Sequence, residues 1–136
     1  MWILIVALIV VGAVFLVKAG NKPGELDEFA SCLKDKGATF YGAFWCPHCQ
    51  AQKALFGNSV KKLPYVECST PDGQDQNEIC KTAGVESYPT WIFPNGSKTT
   101  GEQSLQALAE QTGCVLPSDQ AGSTTVSTGA ASSVGN

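Results

Sequence analysis

Hydrophobic and polar positions divide this chain into three stretches with different rhythms. Trp2 to Val17 is apolar throughout and carries no charge. From Leu26 to Gly113, apolar residues recur at helix or strand spacing, broken by glycines, prolines and polar runs. From Ser118 onward the chain is mainly Ser, Thr, Gly, Ala and Val, with no charge after Asp119.

The middle stretch predicts alternating helices and strands. Leu26, Phe29, Ala30 and Leu33 share one face of a helix over 25–36, which Gly37 stops. Residues 38–44 read as a buried strand. Cys46 then opens a helix with Pro47 at its first position, where a missing N–H is harmless. That helix is expected to run to about Asn58. A second strand over 63–67 ends at Cys68, and a polar loop from Thr70 to Gln74 follows. A short helix over 76–83 has Gly84 past its end. Thr90 to Phe93 and Ser97 to Thr100 are strands joined by Asn95-Gly96, a two-residue hairpin signal. The last helix, 102–112, carries Leu105, Leu108 and Ala109, and Gly113 ends it. A strand–helix–strand crossover makes the first two strands parallel, and the hairpin adds an antiparallel pair. The expected class is α/β, with a four-stranded mixed sheet flanked by helices.

Size and composition narrow the functions. The chain has 136 residues and a net charge of −3. It contains no Arg and no basic patch, which argues against a nucleic-acid surface. The middle stretch suffices for one small domain with one core. Six Cys beside a single His is a heavy thiol load, unusual in a reducing compartment unless metal is bound.

The two ends have separate readings. A membrane span needs roughly 20 apolar residues, with a lower limit of about 17. Residues 1–18 are therefore expected to be a membrane anchor, at the short end of that range. Small residues at Val17-Lys18-Ala19 keep a cleaved signal peptide open. Lys18 and Lys22 follow the span and favour a cytoplasmic domain, whereas the cysteine load favours the extracytoplasmic side. The cysteines are the stronger signal, so a periplasmic, luminal or extracellular placement is expected. Residues 19–24 read as a linker, 25–115 as the folded domain and 116–136 as a disordered tail.

The candidate chemistry sits in Trp45-Cys46-Pro47-His48-Cys49. Two cysteines separated by two residues, directly after a strand, can cycle between dithiol and disulfide. The thiolate is the nucleophile in that exchange. At a helix N-terminus, unpaired N–H groups and the macrodipole favour negative charge on Cys46. His48 adds a positive charge or a hydrogen bond, and both effects stabilise the reduced form, so the disulfide is expected to be oxidising. Cys46 would form the mixed disulfide and Cys49 would resolve it. Trp45 and Phe44 would supply an apolar rim, with core packing as the alternative for each. A zinc site is the competing use of Cys46 and Cys49, but four ligands are wanted and no second cysteine pair of this spacing exists. No metal and no cofactor is expected. Cys68 and Cys80 bracket the polar loop, and a bridge there would contribute on the order of 3 kcal/mol. Cys32 and Cys114 lie near the two ends of the domain and could clasp them. Four free thiols, or a relay through Cys32 or Cys114, are the alternatives.

This order of elements, with Trp-Cys-x-x-Cys at the first strand-to-helix junction, resembles the thioredoxin fold. Ser87-Tyr88-Pro89-Thr90 stands just before the third strand, where thioredoxin-like proteins carry a cis proline facing the dithiol. Phe29-Ala30-Ser31-Cys32-Leu33, Tyr41 to Cys49, Tyr65-Val66-Glu67-Cys68 and Tyr88-Pro89-Thr90-Trp91 are similar to one subfamily. It is the thioredoxin-like domain that accompanies vitamin K epoxide reductase homologues, and the likeness spans about residues 25–113. It implies that Tyr88 and Pro89 bind an extended peptide and it favours the Cys68–Cys80 bridge. It further implies a domain that oxidises cysteine-containing exported proteins and is reoxidised by a quinone-linked membrane partner. Thioredoxin and the periplasmic oxidase DsbA place a buried carboxylate six residues before the first cysteine; here that residue is Phe40. An anchored reductase or isomerase, of the kind used in cytochrome c maturation, and a non-catalytic interaction module are the competing readings.

Overall fold

The computed structural model describes residue 2, residues 5–10 and residues 23–118. Among them, residues 5–10 are helical and exposed, and no helix is long and apolar enough to cross a membrane. Most of the predicted span over 1–18, most of the linker over 19–24 and most of the tail over 116–136 lie outside the described residues.

The first helix of the domain, α1 (Asp27–Asp35), buries Phe29, Ala30 and Leu33, the face expected from the spacing. It is followed by β1 (Thr39–Gly42), α2 (Pro47–Ala54) and β2 (Tyr65–Glu67). Then come α3 (Glu78–Thr82), β3 (Thr90–Ile92), β4 (Lys98–Thr100) and α4 (Leu105–Thr112). The sheet order is β2-β1-β3-β4. β1 is parallel to β2, antiparallel to β3, and β3 is antiparallel to β4. This is the mixed sheet that the crossover and the hairpin signal require.

The end of the helix after Cys46 differs from expectation. The helix after Cys46 stops at Ala54, and Gly57–Lys62 forms a separate 3-10 helix. Gly57 takes φ +50, a conformation that L side chains avoid, so the chain turns there instead of continuing to Asn58. The turn lets Phe56 bury and stack on Phe29 of α1 at 6.1 Å between ring centroids.

The core is aromatic at its centre. Phe40 of β1 stacks on Trp91 of β3 at 5.0 Å, and Trp91 continues the stack to Phe93 at 6.5 Å. Such pairs add roughly 0.5–1.5 kcal/mol each beyond area burial. Leu108 of α4 closes the core, and Leu116 still packs against it. β1 is thus paired on both edges, and the loop leaving its C-terminal end is held on a rigid base.

Candidate active site

β1 ends at Gly42, and the chain enters α2 through Ala43, Phe44, Trp45 and Cys46. Cys46 is the N-cap of α2: its backbone is extended, and its Sγ accepts the N–H of Cys49 at 3.3 Å. Pro47 stands at the first helical position, as expected. Serine or asparagine would ordinarily supply the cap oxygen. Here the capping atom is a sulfur, and a thiolate would accept that hydrogen bond more strongly than a thiol.

Both cysteines of the pair are free. Cys46 is 5% exposed and Cys49 is 0% exposed. Burial, followed by the hydrogen bond with Cys46, pushes the Cys49 thiol up to about 12. The arrangement separates roles: Cys46 lies at the surface edge of the helix start, and Cys49 waits beneath it as a buried thiol.

Side chains from later in the chain hold the approach loop. The Trp45 indole N–H donates to Ser69 Oγ at 2.9 Å. Glu67 Oε1 accepts the backbone N–H groups of Phe44 and Ser69 at 3.1 and 2.9 Å, and its Oε2 accepts the Tyr65 hydroxyl at 2.6 Å. Phe44 and Trp45 are about half exposed, which makes them a rim and not core. Trp45 also meets Tyr88 edge-on at 6.0 Å.

The Tyr88–Pro89 peptide bond is cis, as the resemblance implied. Pro89 is buried, and its carbonyl already accepts the Gly101 N–H at 2.8 Å. The N–H and carbonyl of Tyr88 have no backbone partner among the described residues, so Tyr88 is the member of the pair with groups free to meet a peptide.

His48 is exposed, and its Nδ1 lies 2.7 Å from Glu102 Oε1. Sequence reasoning did not find Glu102, which is 54 residues away. The placement has a visible cause. Gln52, one turn after His48 and fully buried, accepts the Gln103 N–H at 2.6 Å and donates to the Gln103 carbonyl at 3.0 Å. Its Oε1 also takes the Trp91 indole N–H at 3.4 Å. The loop that carries Glu102 is therefore clamped to α2.

The remaining four cysteines are paired. Cys32–Cys114 has Cα atoms 5.9 Å apart across a separation of 82 residues, and Cys68–Cys80 has Cα atoms 5.6 Å apart across 12. Both pairings match expectation, and the described disulfides leave no relay thiol at Cys32 or Cys114. Among the described residues no group of three or more His, Cys, Asp or Glu side chains could hold a metal ion.

A strand-to-helix dithiol, a cis proline before β3 and this sheet order are the marks of one class, and the family model for thioredoxin matches residues 24–112. The chain belongs to the thioredoxin family, and its domain is a thiol–disulfide oxidoreductase. It is also similar to thiol-disulfide oxidoreductase LTO1 of Arabidopsis thaliana, at 46% identity over 100 residues. That match takes in 70% of this chain and 26% of the relative, so the chain spans about a quarter of the protein it resembles.

Proposed function

We propose that this chain is a membrane-tethered oxidase that introduces disulfides into cysteine-containing exported proteins. Residues 1–18 would be the anchor and 19–24 the linker, with the domain on the extracytoplasmic side. A quinone-linked membrane protein resembling vitamin K epoxide reductase would restore the Cys46–Cys49 disulfide. The membrane partner rests on the subfamily resemblance of Tyr41 to Cys49, Tyr65 to Cys68 and Tyr88 to Trp91.

The observation that carries the oxidising direction is the cap. Cys46 Sγ accepts a helix N–H and sits at the positive end of α2, beside His48. The donated N–H and the helix start stabilise the reduced form, and a stabilised reduced form makes a stronger oxidant. Two disulfides held outside the reactive pair suit an oxidising compartment.

In the forward reaction a substrate thiolate attacks Cys46 Sγ and the Cys46–Cys49 bond breaks, with its electron pair going to Cys49. The second substrate thiolate then attacks the mixed disulfide and releases Cys46. The substrate has lost two electrons, and the domain holds them as a dithiol.

The test is equilibration of the full chain with glutathione redox buffers. A potential near about −120 mV supports the oxidase, and a value near about −270 mV overturns it in favour of an anchored reductase.

A further inference from the structure

When the Cys46–Cys49 disulfide opens, Cys49 departs as a thiolate into a buried site. Thioredoxin and the periplasmic oxidase DsbA place a buried carboxylate six residues before the first cysteine of the pair. Phe40 fills that place here, fully buried and stacked on Trp91. A different charged group is nearby. Lys53 lies four residues beyond Cys49 on α2, on the same helical face. Its Nζ sits 3.3 Å from the centroid of the Tyr65 ring. Among the described residues it makes no ion pair: the three bridges present join His48 to Glu102 and Lys81 to Asp75 and Glu78.

Gly42 brings the ring and the thiol together. A Cβ at Gly42 would lie 2.9 Å from Cys49 Sγ and 3.0 Å from Tyr65 Cε2. The glycine thus leaves open a small space bounded by the sulfur on one side and the aromatic ring on the other. Tyr65 is fixed from its far end, where the hydroxyl donates to Glu67 at 2.6 Å. The ring is therefore a rigid seat for the ammonium. A cation on such a ring is attracted by its quadrupole. The titratable groups that act on Cys49 are Cys46, Lys53 and Tyr65, and Lys53 is the cation among them; Glu67 bonds the hydroxyl at the far end of the Tyr65 ring.

We propose that Lys53 is the charge partner of Cys49: seated on Tyr65, its ammonium stabilises the thiolate that leaves when a thiol attacks Cys46. The proposal deepens the oxidoreductase reading above and rests on it. In the step, the attacking thiolate bonds to Cys46 Sγ, the Cys46–Cys49 bond breaks, and Cys49 keeps the electron pair. The Cys49 thiolate then takes a proton from water and becomes the buried thiol seen in the reduced structure. Lys53 acts only while Cys49 is anionic, so it governs rate and leaves the resting equilibrium alone.

The experiment uses the oxidised full chain and reduced glutathione as the attacking thiol. Lys53→Met keeps the aliphatic stem and removes the charge. It is expected to slow disulfide opening about tenfold, the factor that one pKa unit represents, with the glutathione equilibrium constant unchanged. Lys53→Arg is expected to recover most of that loss. An unchanged opening rate in Lys53→Met overturns the proposal. So does an equilibrium shift as large as the rate change, or an arginine variant as slow as the methionine one. Opening by glutathione is measurable whichever way the domain works in the cell. A wild-type potential near thioredoxin's would therefore sink the oxidase reading without touching this result.

Discussion

Two helix starts in this molecule have the same geometry and opposite fates. At α3 the cap is Asn77, whose Oδ1 accepts the N–H of Cys80 at 3.2 Å. At α2 the cap is Cys46, whose Sγ accepts the N–H of Cys49 at 3.3 Å. In both, the residue three positions after the cap is a fully buried cysteine. Cys80 reaches outward to Cys68 and is locked in a disulfide. Cys49 has its own cap as nearest sulfur, and the pair is free. The two starts differ in cap chemistry, a sulfur at α2 and an amide oxygen at α3, so the α2 start alone sets two sulfurs side by side.

The sharpest way to break that comparison is to give α2 an ordinary cap. Cys46→Ser supplies an oxygen that caps well, so the fold should persist while thiol–disulfide exchange is lost entirely. Circular dichroism and an exchange assay on the same sample check this; residual exchange above background would show that Cys46 is not the attacked sulfur. Cys49→Ser should instead trap the mixed disulfide, visible as a mass adduct on Cys46.

The next effects fall on the structural pairs. In the chain-entropy account, Cys32→Ala with Cys114→Ala should cost about 4–5 kcal/mol, because the bridge spans 82 residues. Cys68→Ala with Cys80→Ala should cost about 3 kcal/mol for its 12-residue span. Denaturant unfolding of the two double variants gives the order, and a reversed order would show that native packing, not loop length, dominates.

A further effect is one of pH and separates the reduced from the oxidised domain. Cys49 ionises near 9.0 when unperturbed and is pushed up to about 12 in the fold by burial and its contact with Cys46. The folded reduced domain therefore holds a proton that the unfolded chain gives up first. The resulting stability is fully present below about pH 9 and is lost as pH rises toward about 12. The oxidised domain has no such proton. Denaturation of both forms between these limits should show the reduced form weakening faster; parallel curves would mean that the Cys49 environment has been misjudged.

Much of this was legible along the chain because it depends on local spacing. Helix faces follow from period, the start of α2 from Pro47 after Cys46, and the hairpin from Asn95-Gly96. The cis bond at Pro89 and the pairing of Cys68 with Cys80 came with the family resemblance. The end of α2 was misplaced because Gly57 adopts positive φ to let Phe56 reach Phe29, a demand set by α1. Ser104, the cap of α4, also moved that helix start inward from 102 to Leu105.

The sequence by itself determined the reactive pair, its position between a strand and a helix, and the class of chemistry. Only the tertiary structure decided what surrounds that pair. Glu102 reaches His48 because buried Gln52 holds the loop after β4. Ser69 and Glu67 reach the Trp45 loop because β2 lies parallel to β1, with Gly42 opposite Glu67. Lys53 finds Tyr65 because Gly42 leaves room for ring and thiol to approach. Local spacing dictates which way a side chain faces on its own element. Which distant side chain it meets depends on strand register and on packing, and those are settled only when the whole core closes.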